Sequence, residues 1–124
     1  MDEIKPRISV DYTEGVTVVR LMDEKILDAD DIQGIEDSIM PVIEQAEQIR
    51  LLVDFSNVKF LSSVMLGVLI RISRRVYERD GKLGLCGINP KIYEIFKITR
   101  LDKIFDIYED TNEALSKLSG RDKG

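Results

Sequence analysis

A chain of 124 residues with 44% hydrophobic and 33% charged side chains has the composition of a globular protein, and its length predicts one domain that buries roughly two-thirds of its unfolded surface. The net charge of −5 argues against a dedicated nucleic-acid binder, whose footprint is basic. With no histidine and one cysteine, Cys86, the chain has no Cys/His zinc site, no histidine-based nucleophilic relay and no internal disulfide; a lone thiol in an apolar run fits a reducing compartment, with the cytoplasm as the default.

Met1 to Pro6 lack the basic stretch and apolar core of a signal peptide, and no apolar run reaches bilayer length, so no membrane insertion is expected. Ile8 to Thr13 and Val16 to Met22 are β-rich runs joined by Glu14-Gly15, which predicts a hairpin. Ile26-Leu27 leads into Asp28-Ala29-Asp30-Asp31, acidic residues at a helix start. These aspartates are no calcium loop: Ile32 and Gln33 stand where a further oxygen ligand and the loop glycine belong, and Ile39 where the closing glutamate belongs. Neither a metal nor a cofactor is expected, and no Gly-rich phosphate loop is present. The helix spaces Ile32, Ile35, Ile39, Ile43 and Ala46 three or four apart, and Pro41 is expected to kink or divide it near Met40.

Leu51-Leu52-Val53-Asp54-Phe55 has little alternation and predicts a central, covered strand. A polar bend follows, then a helix from Ser62 or Ser63 to Asp80, with Gly81 expected in the left-handed cap position. Lys82 to Gly87 predicts another strand, and Asn89-Pro90 a cap with proline at the first helical position, ahead of a stripe of Ile92, Tyr93, Ile95, Phe96 and Ile98. Ile104 to Ile107 is expected as the last strand and Asp110 to Leu118 as the last helix, with Ser119 to Gly124 frayed. Alternating strands and helices imply an α/β fold: a mostly parallel central sheet, an N-terminal hairpin and about four helices.

Two adjacent hydroxyls, Ser62 and Ser63, open the helix after the central strand. Helix starts accommodate phosphate, and they also need capping hydroxyls. At about 100° per residue, Leu66, Leu69, Ile70, Ser73, Val76 and Tyr77 cluster on one side, with Met65 and Ile72 at its edge; this side is expected to face the sheet. The other side carries Val64, Gly67, Val68, Arg71, Arg74, Arg75 and Glu78. Apolar surface beside a small residue, rimmed by charge and next to two hydroxyls, reads as a docking patch, or else Val64 and Val68 lie beneath a neighbouring loop. Arg71, Arg74, Arg75 and Arg79 read first as a solvated face, with phosphate or nucleic-acid binding, or the steering of an acidic partner by some of them, as the alternatives, and Cys86 reads as an inert core residue.

Phe60-Leu61-Ser62-Ser63-Val64-Met65-Leu66-Gly67-Val68-Leu69, Gly81 to Ile88, and Ile98-Thr99-Arg100-Leu101-Asp102-Lys103-Ile104-Phe105 together resemble a STAS domain of the bacterial anti-sigma factor antagonist family, with the resemblance running from about Ile8 to Leu118. The family loop usually reads Asp-Ser-Ser-Gly-Leu-Gly or Asp-Ser-Thr-Gly-Leu-Gly, and its first Ser is phosphorylated by the partner, an anti-sigma factor serine kinase. Aligned on Leu66-Gly67, the resemblance places Ser63 at the phosphorylated position, with Ser62 as the alternative acceptor. Ser62 replaces the family aspartate, Met65 replaces a small glycine, and Asp28 is the counterpart of a loop aspartate near the acceptor. The implied partner-binding set is Asp28, Ser62, Ser63, Val64, Gly67, Val68 and Arg71. The implied activity is partner switching: the unmodified form binds the kinase and frees a sigma factor, phosphorylation releases it, and a serine phosphatase resets the cycle. The alternative is an unphosphorylated scaffold, stressosome-like or attached to a lipid transporter. An enzyme is not expected, since no histidine serves Ser63 and Lys59 lies at an exposed bend.

Overall fold

The computed structural model describes residues 7–119. Strands β1 (Ile8–Thr13) and β2 (Val16–Leu21) form the expected hairpin. Glu14 and Gly15 both have positive φ, 55° and 80°, which two-residue type I′ loops require. A two-residue strand, β3 (Lys25–Ile26), then precedes helix α1 (Ala29–Glu44). The chain continues through β4 (Arg50–Asp54), a second two-residue strand β5 (Phe60–Leu61), and helix α2 (Ser63–Glu78). It ends with β6 (Lys82–Cys86), α3 (Pro90–Ile98), a 3₁₀ turn at Leu101–Lys103, β7 (Asp106–Tyr108) and α4 (Thr111–Leu118).

The main sheet has the order β1-β2-β4-β6-β7, and only the β1–β2 pairing is antiparallel. The run around Val53 therefore occupies the middle of the sheet, and Leu51, Leu52 and Val53 are all fully buried. Alternation divides each strand between two cores. Val19, Leu21, Leu51, Val53, Leu83 and Leu85 join the cluster formed with α1, α2 and α3. Val16, Val18, Leu52 and Cys86 join the smaller cluster with Ala114 and Leu118 of α4. The fold is thus α/β with four helices, as the sequence implies.

Four local expectations change. Helix α1 runs unbroken through Pro41, three residues from its end; Ile39 and Ile43, both fully buried, hold that turn against the sheet and offset the missing backbone donor. The left-handed residue after α2 is Asp80, with φ 59°, not Gly81. Gly81 is a glycine because a Cβ there would collide with the carbonyl oxygen of Ile49. The last strand starts at Asp106 rather than Ile104, since Ile104 closes the 3₁₀ turn and the Phe105 ring packs edge-on against Phe96 at 6.1 Å. Ser119, the one described residue of the expected frayed tail, is buried, and its carbonyl accepts a bond from Arg50 at 2.7 Å; 120–124 lie outside the described residues.

The wheel of α2 also shifts. Its buried residues are Met65, Leu66, Val68, Leu69, Ile72, Ser73 and Val76, an arc of about 160° from Val68 round to Leu66. Val68 is only 1% exposed, whereas Tyr77 is 48% exposed. The cause is the neighbour: α2 packs against α1 as well as the sheet, and Val68 lies at the edge of the arc that joins the core shared with Ile32, Ile35 and Ile39.

Candidate functional site

The loops leaving the C-terminal ends of β2, β4 and β6 meet at one end of the sheet. Strands β3 and β5 run parallel, pairing Lys25 with Phe60 and Ile26 with Leu61. The Glu24 carbonyl accepts from the N–H groups of Lys59 (2.8 Å) and Phe60 (3.0 Å), and the Ile26 carbonyl accepts from Ser62 N–H at 2.9 Å. From the third loop, Asn89 Nδ2 donates to the Val58 carbonyl at 3.2 Å. These bonds fix the entry to α2 relative to the entry to α1.

Asp54, at the end of β4, begins this loop and is 2% exposed. Its Oδ1 accepts from Ser56 N–H at 2.9 Å and its Oδ2 from Arg20 Nε at 3.2 Å, so the buried carboxylate is both paired and hydrogen-bonded, as burial demands. Gly87 lies against it with φ 71°, and a Cβ there would sit 2.9 Å from Asp54 Oδ1. In the sequence Asp54 reads as part of an apolar run. The signal was present: a carboxylate ending a buried strand two residues before a polar turn is an Asx-turn pattern.

Ser62 is the N-cap of α2, with extended backbone (φ −76°, ψ 146°), and its Oγ accepts from Val64 N–H at 3.1 Å. That is the capping role the sequence allowed it, and serine fills it about as well as aspartate. Ser63 is the first residue of the helix and is exposed, and its hydroxyl makes no hydrogen bond among the described residues. Val64 is 62% exposed. On the wheel, Ser63, Val64, Gly67 and Arg71 all fall outside the buried arc. The corrected face therefore contains four of the predicted residues and omits Val68. Met65, replacing the family glycine, is fully buried, so its bulk enters the core rather than the surface beside Ser63.

Asp28 is the N-cap of α1 and is exposed; its carbonyl accepts from Ile32 N–H, but its side chain makes no capping bond. Of the neighbouring aspartates, Asp31 is held by Arg7 Nη1 at 2.6 Å. Leu27 and Phe60, half exposed, add apolar surface on the paired loops, with Lys25 Nζ 5.8 Å above the Phe60 ring. Neither stands out in the sequence, since a single exposed apolar residue carries no periodic signal.

The arginines of α2 are less free than a solvated face implies. Arg71 makes a two-point contact with Glu36 of α1 at 2.8 and 2.9 Å, and this hydrogen-bonded guanidinium holds the Glu36 carboxyl below its ordinary range. Arg75 donates to Glu44 at 2.7 Å, and Arg79 to the carbonyls of Glu44 and Ala46 at 3.1 and 3.0 Å. Only Arg74 lacks a side-chain partner among the described residues. Three arginines thus clamp α2 to α1.

Gly67 is conspicuous on this face. A Cβ there would have only Arg71 Nη1 within 4 Å, at an ordinary 3.9 Å. The fold leaves room for alanine, yet the helix carries glycine, which costs about 0.8–1.0 kcal/mol in a helix interior. Nothing among the described residues accounts for that choice. Among the described residues, no helix is long and apolar enough to cross a membrane.

Residues 7–114 match the STAS domain family. The anti-sigma F factor antagonist of Paenibacillus polymyxa is 25% identical over 112 residues, 90% of this chain and 94% of that one. Among solved structures, an anti-sigma-factor antagonist (STAS) domain protein from Planctomyces limnophilus superposes with a TM-score of 0.81 at 23% identity, covering 91% of this chain and 98% of the other. The anti-sigma factor antagonist SpoIIAA in its unphosphorylated form gives 0.76 at 21% identity, covering 91% and 96%. The phosphorylated form of SpoIIAA, a Bacillus cell fate determinant, gives 0.67 at 21% identity, covering 89% and 97%. With the family match spanning most of the chain, and an anti-sigma factor antagonist similar to it along nine-tenths of its length, this chain belongs to the STAS domain family.

Proposed function

We propose that the unmodified chain binds an anti-sigma factor serine kinase through the face containing Ser63, Val64, Gly67 and Arg71, and thereby frees a sigma factor. Asp28 and Ser62 flank that face from the two helix caps. Phosphorylation of Ser63 then releases the partner, and a serine phosphatase restores the binding form. The chain acts by association rather than turnover, in the cytoplasm and without a cofactor.

The observation that carries this reading is the division of labour between the two hydroxyls. Ser62 caps α2, which leaves the exposed Ser63 hydroxyl available without uncapping the helix. A phosphate at Ser63 adds about −1.5 to −2 charges at neutral pH, and the N-terminal end of a helix tolerates an anion. The fold therefore survives modification, while the docking surface changes sign beside Val64. A partner covering Val64 must desolvate that phosphate or oppose it with like charge, at a cost of several kcal/mol. At 1.4 kcal/mol per decade this is roughly a hundredfold or more in affinity. SpoIIAA, which shares the fold, exists in both unphosphorylated and phosphorylated forms, consistent with a fold that accommodates the added group.

The test is a titration of the cognate anti-sigma factor with unmodified protein, with enzymatically phosphorylated protein and with Ser63→Asp. Loss of affinity in the last two is expected, and equal affinity in all three removes the mechanism. Intact-mass measurement on protein from its native cells should show one phosphate that disappears in Ser63→Ala. Its absence under all growth conditions points instead to a constitutive scaffold.

A further inference from the structure

The main sheet ends in β7 on one side and in β1 on the other. Strand β7 has three residues, and a short edge is one device that keeps sheets from joining. Strand β1 has six, pairs with β2 without a bulge from Ile8 to Thr13, and contains neither proline nor lysine. The usual protections of an edge are therefore missing. No described strand lies beyond it, and Tyr12, near its turn, is 77% exposed.

The hairpin decides which backbone groups of β1 face outward. Around a two-residue loop the flanking residues, Thr13 and Val16, form a hydrogen-bonded pair, and such pairs alternate along an antiparallel ladder. Thr13, Asp11 and Ser9 therefore bond to β2, in step with Arg7, whose carbonyl accepts from Met22 N–H at 3.0 Å. The N–H and C=O groups of Ile8, Val10 and Tyr12 point the other way. Their side chains share one face of the sheet, with Ile8 across from Leu21 and Val10 from Val19, both in the core under α1. The even positions of the strand thus carry its apolar side chains and its outward backbone groups together.

We propose that β1 is the seam of a homodimer, in which a second copy of this chain pairs with it antiparallel about a two-fold axis at Val10. In this register Val10 faces Val10 of the second copy and Ile8 faces Tyr12, so every outward group of the three residues closes a hydrogen bond. The Ile8–Tyr12 contact is an aromatic–β-branched pair of the kind that stabilises ladders, and it covers the exposed ring. On the other face Asp11 falls opposite Ser9. Ser9 is paired with Arg20 of β2, and Arg20 has only its Nε bonded, to Asp54, with no partner for its Nη groups among the described residues. The incoming Asp11 thus joins a row with an available guanidinium two strand spacings away, about 10 Å, and the pairing is complementary in charge. A slip of two residues in either direction leaves some of the outward groups of β1 unpaired, and a slip toward the turn sets Asp11 against Asp11, a like-charge pair. The axis stands perpendicular to the sheet, which places the two Ser63 faces at opposite ends of the joined sheet.

Sedimentation equilibrium of the full chain, from micromolar to millimolar protein, tests this, and a reversible monomer–dimer equilibrium is expected. In a mixture of isotope-labelled and unlabelled protein, a filtered nuclear Overhauser contact should join Ser9 Hα to Asp11 Hα of the other copy, since non-hydrogen-bonded pairs approach most closely. Tyr12→Pro removes an outward N–H and none that bonds to β2, and should weaken dimerisation by about tenfold or more, a decade in the dissociation constant. Asp11→Lys, at an exposed position, places a lysine on the edge and a cation in the Arg20 row; it should weaken dimerisation several-fold even if the proline variant does not fold. Ser63→Asp should leave the equilibrium unchanged, so failure of the partner-switch reading would not decide this one. A monomer at every concentration, a dimer insensitive to Asp11→Lys, or filtered contacts at Val64 in place of Ser9 would each overturn the proposal.

Discussion

Gly67→Ala should make this protein more stable and a poorer partner. Position 67 is the fifth residue of a 16-residue helix, so the full interior penalty of glycine applies, about 0.8–1.0 kcal/mol relative to alanine. The new methyl would meet Arg71 Nη1 at 3.9 Å, which is van der Waals contact and leaves the Arg71–Glu36 contact in place. Unfolding entropy of about 2.1 cal/mol/K per residue over 124 residues is about 0.26 kcal/mol/K, so the midpoint should rise by about 3–4 °C. Thermal unfolding followed by circular dichroism measures it, and a urea titration with unchanged slope confirms that the native state was stabilised. A neutral or lowered midpoint would refute the claim that the fold leaves room at 67. A raised midpoint with undiminished affinity for the anti-sigma factor would refute the claim that a partner needs that surface kept small.

Ser62→Ala should lower stability by about 1 kcal/mol through loss of the cap, and Ser62→Asp should restore it; equal midpoints for all three would show that the cap contributes nothing. Gly81→Ala should cost about 2–3 kcal/mol, the upper range for overpacking, because the methyl meets the Ile49 carbonyl, and a urea midpoint within error of the parent would contradict this. Glu36 is held below its ordinary value of 4.5 by Arg71, so the folded state releases that proton more readily than the unfolded one. The resulting stability is present above about pH 5 and lost as pH falls through the depressed folded value. Arg71 is half exposed, which limits the pair to no more than about 1 kcal/mol. The stability gap between parent and Glu36→Gln should therefore shrink in acid, and a gap that persists below both values would refute the assignment. Burial pushes the Cys86 thiol up to about 11; it should resist alkylation at about pH 8 in the native protein and react on unfolding, and rapid native-state labelling would show that the small α4 core opens readily.

What the sequence made legible were features whose cause is local. The Glu14-Gly15 turn, the Asn89-Pro90 helix start and the apolar run around Val53 each carry their reason within a few residues, and each lies where it was expected. Pairings between distant residues were not legible. Arg71 and Glu36 are 35 positions apart, and a helical wheel of α2 alone cannot register that α1 covers Val68. The two-residue strands β3 and β5 are too short for any periodic pattern, yet they set the geometry of the site. The hydroxyl pair was found because a cap position is a local fact; its corrected surroundings depend on which neighbours cover the helix.

The β3–β5 ladder has a consequence for how this chain tolerates change over generations. Because Lys25–Ile26 are in register with Phe60–Leu61, the stretch before α1 and the stretch before α2 cannot vary in length independently. An insertion in either shifts one helix entry against the other and carries Asp28 away from Ser62 and Ser63. Loop ends in most α/β proteins drift freely; here two of them are yoked, and lineages that lengthen one are expected to compensate in the other or lose the face they share.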